Sequence, residues 1–446
     1  MTNAVPERQL GFAMCVALVV GGMIGSGVFL LPVSLAPLGW NSFYGWLVTI
    51  VGTLCLVAVL MRLGKGRAGD CAPYSYPAAA FGAGTGFVVA WSYWISCWVT
   101  NATLAIAAVS NLAAVWPALA APGVPAAVAV ALVWLFTLIN CRGVRTAGGV
   151  QIVTLLLKVV PLVGVILVAV WLFGSGTAAP VAHNSVPVTG AAIGGAATLT
   201  LFAMLGFESA MVAGDRAKDP ERTVPRAVLT GVLITGILYL LAGSAVTLML
   251  PPETVVTSTS PFATFFGTLV DPALGPLVAI FVAIAALGAL NGFILLQAEM
   301  PFTLARHGLL PDWTAKLNRR GAPHRIHIVS STLASIVVLA NYSRDLAGLF
   351  QFMLLVTTSV TLIFYLACVL AWLKLARFGR IAAPPAMIAV ALAALAYALW
   401  AFHGAGIEAS LWSLAMTGAA LPVYLVMRRA RRSSPAAADG GDALPG

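Results

Sequence analysis

Long apolar runs alternate with short polar connections along the whole chain, and the length of the runs suits a bilayer rather than a soluble core. The runs cover approximately 11–36, 43–61, 84–116, 124–140, 150–173, 190–213, 226–250, 272–305, 327–342, 345–374, 382–403 and 408–427. Each is read as long enough to cross the bilayer. Only a few polar residues around Asn341 to Asp345 divide the ninth run from the tenth. The pattern predicts an all-α integral membrane protein of about twelve transmembrane helices, forming one polytopic domain over 1–427. A basic tail over 428–446 follows, rich in Ala, Gly, Ser and Pro from about Ser433, and it is predicted to be disordered.

Two runs are interrupted at the same relative place in two five-helix halves. The first carries Gly21-Gly22-Met23-Ile24-Gly25-Ser26-Gly27 and the sixth carries Met204-Leu205-Gly206-Phe207-Glu208-Ser209. Small residues also serve helix packing in membranes. Paired interruptions half a molecule apart point further, to inverted repeats with broken helices whose unwound backbone faces a midplane cavity. The expected repeats cover approximately 11–173 and 190–374, with two extra helices over approximately 382–427.

Composition agrees with the spans: 61% of the 446 residues are hydrophobic and 9% are charged. The net charge of +10 does not signal a polyanionic partner, because the 24 Lys and Arg residues are placed by topology. Arg8 precedes the first run, and clusters follow in alternate connections: Arg62 to Arg67, Arg142 and Arg145, Arg216 to Arg226, Arg306 to Arg325, Lys374 to Arg380 and Arg428 to Arg432. Between those clusters stands Arg344, while Lys158 lies inside a run. The positive-inside rule then gives an even number of helices, with both termini cytoplasmic and no nucleic-acid role. The first run lacks a small-residue cleavage site and is expected to be a retained helix. The six cysteines show no CxxC or His/Cys clustering, so neither a disulfide framework nor a metal site is indicated, and no cofactor is expected.

A charge at membrane depth costs roughly 2.5–3.5 kcal/mol, which makes each ionisable residue inside a run a functional candidate. Glu208 adjoins the second break, where a carboxylate can meet a substrate ammonium or exchange a proton. Lys158 precedes Pro161, and its ammonium can pair with freed backbone carbonyls in the place a coupling cation would hold, or snorkel to an interface. Glu299, near a helix end, is left outside the site. Free N–H groups around Ser26 and Gly27 can bind a carboxylate, and unwound carbonyls near Met23 and Phe202 can take an ammonium. Together these describe a site for a zwitterion, an α-amino acid or its decarboxylated amine. Phe293 can cover a cationic side chain or serve only as packing.

The residues Gly25-Ser26-Gly27-Val28-Phe29 with Leu31-Pro32, Tyr93-Trp94 through Cys97-Trp98 to Asn101, and Gly206 with Glu208-Ser209-Ala210 carry a resemblance. So does the stretch Lys218-Asp219-Pro220-Glu221-Arg222-Thr223-Val224-Pro225. From Gly21 to Met427 the chain resembles the amino acid–polyamine–organocation superfamily, and within it the basic amino acid/polyamine antiporters of the arginine/agmatine branch. The resemblance implies a LeuT-like arrangement with broken helices 1 and 6. It implies that Ser26 and Gly27 hold the substrate carboxylate and that carbonyls of Met23, Phe202 and Leu205 receive its α-ammonium. Cys97, Asn101 and Thr357 would contact the distal group. Tyr93, Glu208 and Tyr365 match a hydrogen-bonded gating set. It alone suggests a homodimer. Two departures stand out: Phe202 and Phe293 replace tryptophans of the branch, a weaker cation–π surface, and Lys158 is similar to the lysine of proton-coupled permeases in the same superfamily.

The expectation is therefore a transporter of the cytoplasmic membrane that exchanges arginine for agmatine by alternating access. The alternative is a proton-coupled, sodium-independent permease for a broader range of amino acids. A receptor, a channel and a membrane enzyme are disfavoured, for want of an output domain, a repeated filter sequence or clustered catalytic residues.

Overall fold

The computed structural model describes residues 11–63, 75–142, 147–177, 181, 186–207, 219–341 and 343–432. Among the described residues all regular structure is helical, in a multi-pass arrangement. Helices α1 (Phe12–Met23) and α2 (Gly27–Leu35) make one span broken at Ile24 to Ser26, bent by 48°. Then come α3 (Trp40–Leu63), the short α4 (Ser75–Phe81), α5 (Ala83–Ala113), α6 (Val124–Cys141), α7 (Ala147–Gly174) and α8 (Gly190–Met204). The second half holds α9 (Pro220–Met249), the short α10 (Pro252–Val256) and α11 (Pro261–Leu269), α12 (Leu274–Arg306), α13 (His324–Ala340) and α14 (Leu346–Arg377). It ends with α15 (Pro385–Gly404), α16 (Gly406–Gly418) and α17 (Ala420–Arg432).

Among the described residues, nine helical stretches are long and apolar enough to cross a membrane, α1 with α2 forms a tenth, and α8 and α13 are shorter apolar helices. That matches the expected count of about twelve. Three short helices, α4, α10 and α11, fall in connections that the apolar pattern leaves blank. Pro301 does not interrupt α12, because a helix surrounded by protein can re-satisfy the freed carbonyl.

Apolar side chains face both lipid and protein, so the hydrophobic effect does not hold the helices together; close packing and hydrogen bonds do. Small residues let backbones approach. A Cβ on Gly45 of α3 would stand 2.5 Å from the Ala196 methyl on α8, and one on Gly52 would stand 2.3 Å from the Tyr397 ring on α15. Between the same helices, the Thr49 hydroxyl lies 2.7 Å from that of Thr200. This core pins α8, and so the second break, against α3.

The packing predicts a contrast. Gly45→Ala should destabilise the protein by about 1–3 kcal/mol, the usual cost of overpacking, whereas Gly195→Ala, with nothing within 4 Å of its new methyl, should be neutral. Thermal unfolding of the two variants in detergent checks this.

Candidate functional site

Both breaks begin with backbone that no longer continues a helix. At the first, Ile24 is extended at φ −70° and ψ 90°. At the second, α8 ends at Met204, Leu205 is extended, and Gly206 adopts φ +102°, a conformation that favours glycine. The two breaks meet. A Cβ on Gly206 would lie 2.6 Å from the Gly22 carbonyl oxygen, and one on Gly27 would lie 2.5 Å from the Phe202 ring. Two glycines, one per break, thus allow the interrupted helices to cross in contact.

The carbonyls freed by the first break are claimed by neighbouring helices. Lys158 on α7 is buried and donates from Nζ to the Gly21 carbonyl at 3.3 Å. It does not snorkel. Its partner is a carbonyl of α1 rather than one freed on its own helix by Pro161. Tyr239 on α9, fully buried, donates its hydroxyl to the Met23 carbonyl at 2.9 Å.

Met23 departs from the expectation of a carbonyl open to a substrate ammonium. Its oxygen accepts from Tyr239 and also from the Gly25 N–H at 2.8 Å. A carbonyl has two lone pairs, and both are engaged in this conformation. The Phe202 carbonyl accepts from the Leu205 N–H at 3.2 Å. Sequence reasoning missed Tyr239 because nothing near it in the chain marks it out.

Beside the breaks lies a small cavity lined by Tyr93, Ser96, Cys97, Thr100, Leu205, Gly206, Phe293, Leu296 and Thr361. The structure brings four expected site residues to its wall: Tyr93, Cys97, Leu205 and Phe293. Ser96, Thr100 and Thr361 are additional hydroxyls, each donating to a carbonyl of its own helix. They went unnoticed because small hydroxyl residues recur throughout the spans.

Ser26, Gly27, Phe202, Asn101 and Thr357 stand off the wall. Ser26 is fully buried at the N-terminus of α2, and its Oγ has no hydrogen-bond partner among the described residues. Phe202 closes over Gly27. Thr357 donates to the Met353 carbonyl at 2.8 Å, with its oxygen 3.4 Å from that of Thr103. Asn101 donates from Nδ2 to Gln297 Oε1 at 2.8 Å. The Thr357 hydroxyl and the Asn101 amide nitrogen are therefore engaged with protein in this conformation. Tyr365 is buried and stacks on Phe207, with ring centroids 5.8 Å apart. Phe364 joins Tyr365 to Tyr93, with centroids 5.4 Å from each. Glu208 lies outside the described residues.

The arrangement can do three things: offer backbone N–H groups at the start of α2, offer the remaining carbonyl capacity at the end of α8, and admit a narrow aliphatic or amine group between Cys97 and Phe293. Gly206→Ala should lower transport at least about tenfold while the protein still reaches the membrane, since the added methyl collides with backbone at Gly22 and must adopt a positive φ. Transport normalised to membrane-inserted protein is the check.

Comparison with known proteins adds to this geometry. The model of a family described as amino acid permease matches residues 10–426. The cadaverine/lysine antiporter of Escherichia coli (strain K12) is 30% identical over 346 residues, covering 76% of this chain and 77% of the relative. The putrescine transporter PotE of Haemophilus influenzae is 27% identical, covering 92% of this chain and 95% of the relative. PotE of E. coli (strain K12) is 26% identical, with 92% and 94% covered. The first of these relatives is named for cadaverine and lysine and the other two for putrescine; none of the three is named for arginine or agmatine.

Proposed function

The chain belongs to the amino acid permease family, and we propose that it exchanges a cationic amino acid for a polyamine across the cytoplasmic membrane by alternating access. The alternate placing of Arg and Lys clusters supports cytoplasmic termini. One observation carries the reading: the start of α2 and the end of α8 meet beside a cavity whose far wall is Tyr93, Cys97 and Phe293. A substrate carboxylate goes to the N–H groups of Ser26 and Gly27, favoured by the helix N-terminus. Its α-ammonium goes to carbonyls of Phe202 and Leu205, and Met23 joins only if the Tyr239 hydroxyl gives way. The distal amine runs between Cys97 and Phe293 toward Asn101 and Thr357. Tyr93, Glu208 and Tyr365 act as the gate.

The substrate pair follows from the aromatic positions. Phenylalanine at 202 and 293 is a poorer platform for a flat guanidinium than tryptophan, which favours lysine with cadaverine or putrescine over arginine with agmatine. The names of the relatives point the same way. Exchange of a monocation entering for a dication leaving moves one net charge, about 2.3 kcal/mol per 100 mV of membrane potential.

Lys158 favours a second reading. A buried ammonium bonded to the Gly21 carbonyl occupies the place of a coupling cation, as proton-coupled uptake of a broader set of amino acids would need.

Proteoliposomes loaded with cadaverine, putrescine, agmatine, leucine or buffer decide between them. Labelled lysine should enter diamine-loaded vesicles at least about tenfold faster than buffer-loaded ones, by analogy with the effect of trans-substrate on an obligate exchanger. Equal entry into buffer-loaded vesicles under a proton gradient would replace exchange with symport. Labelled arginine against agmatine is the second pair.

A further inference from the structure

Behind the cavity, a file of polar side chains crosses four helices. Thr137 on α6 donates its hydroxyl to the Val133 carbonyl at 2.7 Å. Its oxygen lies 2.6 Å from Ser331 Oγ on α13. Ser331 Oγ lies 3.1 Å from Gln297 Nε2 on α12, and Gln297 Oε1 lies 2.8 Å from Asn101 Nδ2 on α5. All four side chains have no exposed surface.

Proton count gives this file a direction. Thr137 has one hydroxyl hydrogen, and a carbonyl only accepts, so that hydrogen is committed to Val133. Ser331 must then supply the hydrogen of the 2.6 Å contact, which leaves its oxygen to accept from Gln297. An amide can donate to Ser331 only through Nε2. That turns Oε1 toward Asn101, which must meet it with Nδ2. The two ends of an amide have nearly the same shape, yet here their orientation is dictated from the far side of the bundle. One atom is left over: Asn101 Oδ1, buried and without a hydrogen-bond partner among the described residues.

We propose that Thr137, Ser331 and Gln297 are positioning residues that lock Asn101 with its acceptor as the free end, so that the site demands a hydrogen-bond donor from the substrate's distal group. Asn101 lies one turn beyond Cys97 and next to Thr100, and Gln297 adjoins Leu296 and lies one turn past Phe293; those four line the cavity. A primary ammonium, with three donors and no acceptor, completes Asn101. A distal group that only accepts leaves two acceptors facing each other, and a buried polar atom without a partner discriminates strongly. The inference rests on the exchange reading for placing the distal group near Asn101.

The test is counterflow in proteoliposomes with lysine and with norleucine, which has the same carbon chain and lacks the distal ammonium. Thr137→Val keeps the shape but removes the hydroxyl, frees Ser331 to turn toward Gln297, and lets both amides rotate. The KM for lysine should rise roughly tenfold with kcat within about twofold, while norleucine is unaffected, as for loss of one charge-assisted hydrogen bond. Thr137→Ser should restore the wild-type ratio, and Ser331→Ala should give the same shift as Thr137→Val if that variant folds poorly. An unchanged lysine-to-norleucine KM ratio in both Thr137→Val and Ser331→Ala, or an equal loss for both substrates, would overturn the proposal. If the wild type carries neutral amino acids and not lysine, the exchange reading fails separately. The orientation is then read from methionine sulfoxide, whose distal oxygen only accepts. Wild type should take it less well than norleucine, Thr137→Val should not, and equal handling by both proteins would overturn it.

Discussion

A broken helix inside a membrane exposes carbonyls and N–H groups that no water can satisfy, and the protein must satisfy them itself. At the first break this chain does so with two side chains from different helices, the Lys158 ammonium on Gly21 and the Tyr239 hydroxyl on Met23. The rest of the site follows. With those carbonyls held, Gly22 can face Gly206, the Phe202 ring can lie on Gly27, and the broken span and the end of α8 meet closely, with a cavity beside them.

The same economy of partners limits what a ligand can use. Groups already engaged, such as the Met23 carbonyl, are closed to substrate in this conformation, while Ser26 Oγ and Asn101 Oδ1 remain buried and without a partner among the described residues. An unpaired buried polar atom costs about 1–3 kcal/mol. On the proposed reading, a zwitterion with a distal ammonium relieves both at once, with its carboxylate at Ser26 and its amine at Asn101. On that reading, substrate binding and the completion of the interior hydrogen bonds are one process.

Much of this was legible in the sequence. The spans follow from apolar run length, and the break between α1 and α2 and the end of α8 at Met204 fall where the two interruptions stand in the sequence. Lys158 stood out because a lysine inside an apolar run is costly. What stayed hidden depends on distance along the chain. Tyr239 reaches a carbonyl 216 positions away, and Asn101, itself an expected site residue, pairs with the Gln297 amide 196 positions away; neither Tyr239 nor Gln297 is marked by its neighbours. The apolar pattern also passed over α4, α10 and α11, since helices of five to nine residues in connections leave no periodic signature. The carbonyl of Met23 was read as open because sequence shows where a helix breaks but not who satisfies the break.

The central claim is that solute occupies the cavity beside the breaks, with Cys97 on its wall. It is tested most directly by thiol labelling in a variant whose other five cysteines are replaced. Alkylation of Cys97 in membranes should slow at least about tenfold when lysine or cadaverine is present at saturating concentration, because a bound amine fills the space the reagent needs. Labelling at the same rate with and without either solute, in a variant that still transports, would place the substrate elsewhere and contradict the account.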